Sequence, residues 1–278
     1  PSAGMVIYAV LTEQSVGRLF MAGVIPGIVL TVLFIGAIYL TVLKNPSAGP
    51  PGKRATKNER WKSLTRSLPI LAVVFLTIGG MYTGFFTPVE ASSVGAFLTF
   101  IVAAWRQSLT FKASCEVILQ TMSATATVFL IIIGAFVFIP FMAITEVPAQ
   151  LVSILTSLPL GDVGILFLII LAYVLLGMFL ESIAMLVLTI PIVIPIAVGL
   201  NWDLIWFGII IVIVLEMGMI TPPVGINVFI VKSLVPDVPM GHIFRGIWPF
   251  WFAMVIMLVL LVFFPKIALF LPQTIVGS

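Results

Sequence analysis

Charge is what this sequence has least of. Thirteen Lys or Arg and ten Asp or Glu serve 278 residues, 8% of the chain, where a soluble domain carries roughly a quarter. So few ionic side chains cannot cover a water-exposed surface. That excludes a soluble enzyme, a disordered tail and a nucleic-acid-binding domain. Cysteine is nearly absent as well. The single Cys115 excludes an intramolecular disulfide and any cysteine metal cluster, and the single His242 excludes a multi-histidine site. There is no start methionine and no cationic segment of a signal peptide. The chain opens on Pro1-Ser2 and runs straight into apolar sequence, so it is expected to be a fragment lacking an N-terminal part.

What fills the chain is apolar. Hydrophobic residues make up 62%, with 22 Phe, and the mean hydropathy is +1.30. This composition predicts an all-α polytopic membrane protein, because a crossing needs about 20 consecutive apolar residues. Val16–Leu43 is one such span. Lys44–Arg66 is the only long polar stretch, read as an exposed loop with a short helical end near Trp61. Leu68–Phe86 and Ser92–Trp105 are spans joined by the turn Thr87-Pro88-Val89-Glu90. Arg106–Glu116 reads as a loop, and Val117–Ile139 as a span stopped by Pro140. In Glu146–Leu158 apolar residues recur at helical spacing between Gln150, Ser153 and Ser157, the pattern of a helix lying in the interface. Gly164–Leu200 is nearly uncharged and interrupted at Glu181-Ser182. Leu204–Leu234 is broken at Thr221–Gly225, and Ile247–Leu271 is the last span.

Basic residues test the topology, since Lys and Arg collect in cytoplasmic loops. The loop at 44–66 holds seven of them and is placed inside. If Gly164–Leu200 is a hairpin of two half-helices that enters and leaves on the outer side, Arg106, Lys112, Lys232 and Arg245 also fall inside. Only Arg18 and Lys266 then remain outside. An intramembrane turn is tolerated only where protein or a watery cavity covers it, so the hairpin itself implies a site. The expected content is six full spans, one re-entrant hairpin, one interfacial helix and the stub of a broken helix. A faint repeat supports it. Pro1, Gly17, Phe20, Gly23 and Pro26 are echoed by Pro223, Gly241, Phe244, Gly246 and Pro249. The chosen topology makes the two copies inverted, as in many secondary transporters.

Three features carry chemistry. Pro222 and Pro223 lack N–H groups, so inside a helix they free the carbonyls of Gly218 and Met219. Thr221 adds a hydroxyl and Gly225 permits close backbone approach. These groups at mid-membrane depth suit a sodium ion; the other reading is a kink repaired by neighbouring helices. Glu216 sits in the last turn before the break, where the helix dipole disfavours an acid. It either neighbours a bound cation or packs as a protonated glutamate. At the hairpin tip, Ser182 is positioned to cap the following half-helix, whose free N–H groups form an anion site. Glu181 beside it is an acid at membrane depth, read as orienting substrate or tuning the cation site, or else as a first-turn acid that only stabilises the dipole. The third feature, Thr87-Pro88-Val89-Glu90, has the form of a capping box and is read as structural.

Together the runs Gly79–Ala91, Leu176–Glu181 and Gly218–Gly225 resemble the large membrane subunit of tripartite ATP-independent periplasmic (TRAP) transporters. Pro1-Ser2 with Met5–Tyr8, and Gly23–Gly27, are similar to that subunit's centre. The resemblance covers the whole chain and corresponds to about the last two-thirds of such a subunit. It implies a sodium-coupled, elevator-type importer of an organic acid (a dicarboxylate, sialic acid or similar carboxylate), in a bacterial or archaeal cytoplasmic membrane. It implies three associations: a small TRAP membrane subunit, a periplasmic substrate-binding protein and phospholipid. No organic cofactor and no nucleic acid are expected. Glu181, Ser182, Pro1 and Ser2 are assigned to substrate. Gly218, Met219, Thr221, Pro222, Gly225 and Glu216 are assigned to sodium.

The organisation implied is a broken transport-domain helix end (1–11), a scaffold helix (12–43), a cytoplasmic basic linker (44–67), scaffold helices (68–145) and an interfacial arm (146–160). The transport domain follows (161–234, with hairpin 164–200 and broken helix 204–234), then a cytoplasmic loop and terminal scaffold helix (235–278). The C-terminus is periplasmic in this scheme. Two other classes stand beside it. One is a stand-alone divalent-anion or citrate-type elevator. The other is an intramembrane enzyme, disfavoured by the shortage of histidine, cysteine and paired acids. The topology makes a direct prediction. Single cysteines introduced at 201–203 should react with impermeant thiol reagents from the periplasm, and those at 237–242 only from the cytoplasm. The reverse pattern refutes the hairpin.

Overall fold

The computed structural model describes residues 2–50, 52, 54–106, 109–157 and 159–274. Among them are twelve α-helices and no strand. Six helices are long and apolar enough to cross a membrane: α2 (Val16–Lys44), α3 (Lys57–Tyr82), α4 (Pro88–Trp105), α5 (Phe111–Ile144), α8 (Ser182–Gly199) and α11 (Met240–Phe263). The shorter helices are α1 (Ala3–Leu11), α6 (Val147–Ser157), α7 (Gly161–Gly177), α9 (Leu204–Met219), α10 (Ile226–Leu234) and α12 (Lys266–Leu269). The protein is a polytopic helical membrane protein, as its composition predicts.

Local chemistry sets most of the helix ends. Thr87 caps α4: its hydroxyl accepts from the Glu90 amide at 3.3 Å, and the Glu90 carboxylate accepts from the Thr87 amide at 2.9 Å. This is the predicted capping box, with Pro88 at the first helical position. The same device at Thr56 and Glu59 starts α3, so the helical end expected near Trp61 is present, but it begins at Lys57 and runs on into the span. The polar residues from Lys57 onward form the first turns of α3 because Thr56 and Glu59 satisfy its free amides. Likewise Thr110 accepts from the Ala113 amide at 3.2 Å, so α5 starts at Phe111 rather than after Glu116. Pro140 does not stop α5, which continues to Ile144. A proline costs one backbone bond, and membrane helices tolerate that loss. Helices α6, α9 and α10 lie where expected. The predicted interfacial helix reached one residue further, to Leu158, which is outside the described residues, as is Lys53 of the basic stretch.

The chain divides into two compact units. One runs to Asn45 and resumes over Val128–Gln273; the other holds Pro46–Thr127 with Thr274. In the second unit, α3 and α4 pack on each other, yet many of their apolar side chains stay exposed, Phe75, Phe97 and Trp105 among them. The first unit is built around α9, twelve of whose sixteen residues are buried. Helices α1, α2, α7, α8, α11 and α12 all pack on it. Both α2 and α11, read from sequence as scaffold helices, thus share one compact unit with the hairpin and the broken helix. The short-then-long pairs α1–α2 and α10–α11 share a local build: nine residues, a brief linker, then a long helix containing Pro26 or Pro249.

Side-chain hydrogen bonds fix the directions of these helices. The Tyr8 hydroxyl donates to the Leu204 carbonyl at 2.7 Å, and the Trp206 indole donates to the Leu261 carbonyl at 2.8 Å. Tyr173 and Thr189 share a hydrogen bond of 2.5 Å. Each lies eight positions from Glu181, so the arms α7 and α8 run side by side and antiparallel from the tip, as a hairpin requires. Asp162 and Asp203 line one cavity near the starts of α7 and α9, while Gly177 and Gly218 touch near their ends, so those two helices run parallel. Gly4 lies against Leu186, and Leu11 shares a cavity wall with Ile190 and Ile194. Helices α1 and α8 are therefore parallel too.

The crossing of α7 and α9 has no room for side chains. A Cβ on Gly177 would stand 2.9 Å from the Gly218 Cα, and a Cβ on Gly218 would stand 2.7 Å from the Gly177 Cα. The obstacle is backbone in both cases, so the helices would have to separate. Gly177→Ala or Gly218→Ala should each lower the stability of the detergent-solubilised protein by about 1–3 kcal/mol, in the range of overpacked cores. Gly36→Ala, which meets no atom within 4 Å, should be neutral in the same thermal denaturation measurement.

Candidate functional site

The break between α9 and α10 spans Ile220–Gly225. Helix α9 ends at Met219, and α10 begins after Gly225, which holds a left-handed φ of 61°. That backbone favours glycine, and a Cβ there would also come within 3.1 Å of the Thr221 carbonyl. Of the two carbonyls expected to be freed by the prolines, one is not free. Gly218 accepts from the Thr221 amide at 2.9 Å, because the chain tightens its last turn and so recovers one lost partner. Among the described residues no donor reaches the Met219 carbonyl. Thr221 is buried; its hydroxyl donates to the Met217 carbonyl at 2.5 Å and accepts from the Trp251 indole at 3.0 Å. Glu216 lies on the exposed side of α9 and makes no hydrogen bond or ion pair with another described residue.

The hairpin tip is Met178–Glu181. The cap of α8 is Glu181, not Ser182, which corrects the expected assignment. One carboxylate oxygen of Glu181 accepts from the amides of Ile183 at 2.9 Å and Ala184 at 3.2 Å, while the other accepts from the Ser182 hydroxyl at 2.9 Å. The physical reason is reach: Glu181 has extended backbone and a side chain long enough to fold onto the following amides. Its negative charge therefore already lies on the α8 dipole. Pro191 and Pro195 lie inside α8 and leave it one continuous helix.

Tip and break are joined. The Gly225 amide donates to the Met178 carbonyl at 3.3 Å, one residue beyond the Gly177–Gly218 crossing. On the other side, α1 starts beside the first turns of α8. Ser2 caps α1, its hydroxyl accepting from the Met5 amide at 3.2 Å. Pro1 lies outside the described residues. One end of this unit therefore gathers two helix N-termini, those of α1 and α8, and two helix C-termini, those of α7 and α9. N-termini present free amides and positive potential, whereas C-termini present carbonyls and negative potential. An anion and a cation thus find complementary groups a few residues apart.

Of the predicted residues, the structure gathers Glu181, Ser182 and Ser2 around the two N-termini. It gathers Gly218, Met219, Thr221, Pro222 and Gly225 at the break. Glu216 lies exposed in the last turn of α9, just before the break. Gly177 and Met178 lie in the run Leu176–Glu181 that carries the family resemblance, though no role attached to them there, and Trp251 was missed. No local pattern marks Trp251, which acts across thirty residues of chain, and none pairs Met178 with Gly225 across the helix interface. Among the described residues, no three His, Cys, Asp or Glu side chains come together as a metal cluster.

Residues 1–267 match the family model described as "Tripartite ATP-independent periplasmic transporter, DctM component". The chain is 32% identical over its full length to the sialic acid TRAP transporter large permease protein SiaM of Vibrio cholerae, covering 64% of that protein. It is 34% identical over 98% of its length to the C4-dicarboxylate TRAP transporter large permease protein DctM of Pseudomonas aeruginosa, again covering 64%. It is 30% identical over 98% of its length to the ectoine/5-hydroxyectoine TRAP transporter large permease protein UehC of Ruegeria pomeroyi, covering 63%. The chain thus spans less than two-thirds of the length of these relatives.

The cap at Glu181 has a measurable consequence. Glu181→Ala removes the acceptor for two amides and should lower thermal stability by about 1 kcal/mol. Glu181→Asp, a side chain suited to the same capping position, should retain most of it.

Proposed function

The chain belongs to the DctM component family of tripartite ATP-independent periplasmic transporters, a family of transporter components rather than enzymes, and on that basis we propose that it takes part in sodium-coupled import of an organic acid. The observation that carries this reading is the convergence of two helix N-termini with two helix C-termini at the hairpin tip. Sodium would bind at the C-terminal ends, using backbone carbonyls such as Met219 and the Thr221 hydroxyl. Hard cations prefer oxygen ligands, and an unpaired carbonyl in an apolar interior is costly until something occupies it. The substrate carboxylate would meet the N-terminal ends of α1 and α8, near Ser2 and Ser182, where amides and dipoles favour an anion. Binding both together neutralises charge before either crosses the apolar layer, which gives a physical reason for coupling.

Glu181 would keep the α8 N-terminus in register and shape the potential seen by both ligands. The body that moves in an elevator step would be the compact unit built on α9. It would include α2 and α11, because both pack directly on α9 and the Trp206 indole ties α9 to the Leu261 carbonyl of α11. In this reading the exposed apolar faces of α3 and α4 serve as the stationary side, against lipid and the small membrane subunit. A periplasmic binding protein delivers the substrate, and the whole lies in the cytoplasmic membrane with the basic stretch 44–66 inside and the C-terminus in the periplasm. The relatives named for sialic acid, C4-dicarboxylate and ectoine transport span the substrate range this site would serve.

Uptake of the cognate organic acid into proteoliposomes holding the complete transporter should collapse when external sodium is replaced by choline or potassium. Full uptake without sodium sinks the sodium reading. Glu181→Ala should abolish uptake at an unchanged membrane level of the protein, and retained uptake removes Glu181 from the site.

A further inference from the structure

Trp251 on α11 stands outside every pattern that marks the site, yet it touches the site's one buried hydroxyl. Its indole N–H donates to Thr221 Oγ1 at 3.0 Å, across thirty residues of chain. A threonine hydroxyl has one proton and two lone pairs. The Thr221 proton is committed to the Met217 carbonyl at 2.5 Å, and Trp251 takes one lone pair. One lone pair remains, with its direction fixed from both sides. The indole is itself held in place: it meets Trp248 at 5.5 Å and Phe252 at 5.5 Å, both edge-to-face, in the geometry aromatic pairs favour. On its flank runs an apolar cavity of about 380 Å³ between α7 and α11, lined by Met217, Trp251, Val174 and Val255 among others. Few groups there compete for the indole proton.

We propose that Trp251 is a positioning residue for the cation site, orienting the Thr221 hydroxyl so that its free lone pair faces the carbonyls at the α9 break. The inference rests on the sodium reading of that break and assigns a group to it from a helix that supplies no ligand. The rival explanation is that Trp251 only fastens α11 to α9. The molecule contains its own control for that. Trp206 donates its indole to Leu261 at 2.8 Å, joining the same two helices near the start of α9, far from the break. If fastening were the whole role, losing either indole would have the same consequence.

The test compares Trp251→Phe and Trp206→Phe in the complete transporter, reading the sodium concentration for half-maximal uptake alongside thermal stability. A neutral hydrogen bond that orients a ligand predicts that Trp251→Phe raises this concentration roughly three- to tenfold. Trp206→Phe should leave it unchanged even if stability falls. Replacing Trp251 by the benzothienyl analogue, which keeps the ring shape and removes only the N–H, should reproduce the shift without loss of folding. In a Thr221→Val background the Trp251 substitution should cause no further shift, since its target is gone. An equal shift from Trp206→Phe, a normal sodium response with the benzothienyl analogue, or an additive effect in Thr221→Val each overturns the proposal. Sodium-independent uptake by the unmodified transporter is a different result: it overturns the sodium reading of the break itself.

Discussion

The structure depends on one contact, the backbone-to-backbone crossing of α7 and α9 at Gly177 and Gly218. In an apolar interior every amide and carbonyl needs a partner, and two interrupted helices leave several without one. The absence of side chains at the crossing lets the hairpin tip come close enough for the Gly225 amide to bond the Met178 carbonyl. One hydrogen bond thus satisfies a donor from the break and an acceptor from the tip. Everything at this end of the unit follows from that closeness. The arm α8 must leave the tip beside α7, α1 must lie along α8, and four helix termini are forced together.

The same constraint explains the choice of residues around the crossing. Thr221 repairs two defects of the break, with its amide on Gly218 and its hydroxyl on Met217. Glu181 repairs the defect at the start of α8, with one oxygen on the Ile183 and Ala184 amides and the other on the Ser182 hydroxyl. What is left unrepaired is informative. The Met219 carbonyl faces the break without a described donor, and among the described residues the Ala3 and Gly4 amides that open α1 have no side-chain cap. The remaining polar groups are of opposite character on opposite sides of one small region, which is the requirement for holding a cation and a carboxylate together.

Much of the fold was legible because its signals are local. Apolar runs of sufficient length gave the helices, Pro-Pro gave the break, and Thr87 with Glu90 gave the start of α4. The identical pattern at Thr56 and Glu59 was equally present, but the surrounding Lys and Arg residues made a loop reading attractive there. Pro140 misled in the opposite direction, because a single missing amide does not end a helix whose other residues are apolar and well paired. The site was legible in part. Scarcity of charge made Glu181 and Glu216 conspicuous; Glu181 bonds the first amides of α8, whereas Glu216 bonds no other described residue. Glu216 is the exposed position of its turn because its apolar neighbours Leu215 and Met217 take the buried ones.

The sequence by itself determined that the chain is a helical membrane protein, where its helices are interrupted, and which family motifs it carries. These follow from hydropathy, proline chemistry and short spacings, all of which are properties of neighbouring residues. Tertiary structure alone decided which interruptions meet. It decided that Glu181 rather than Ser182 caps the hairpin arm, that α2 and α11 share a unit with α9, and that Trp251 reaches Thr221. Those facts depend on the distance between backbones that lie far apart in the chain, and at Gly177 and Gly218 that distance is set by the lack of two Cβ atoms.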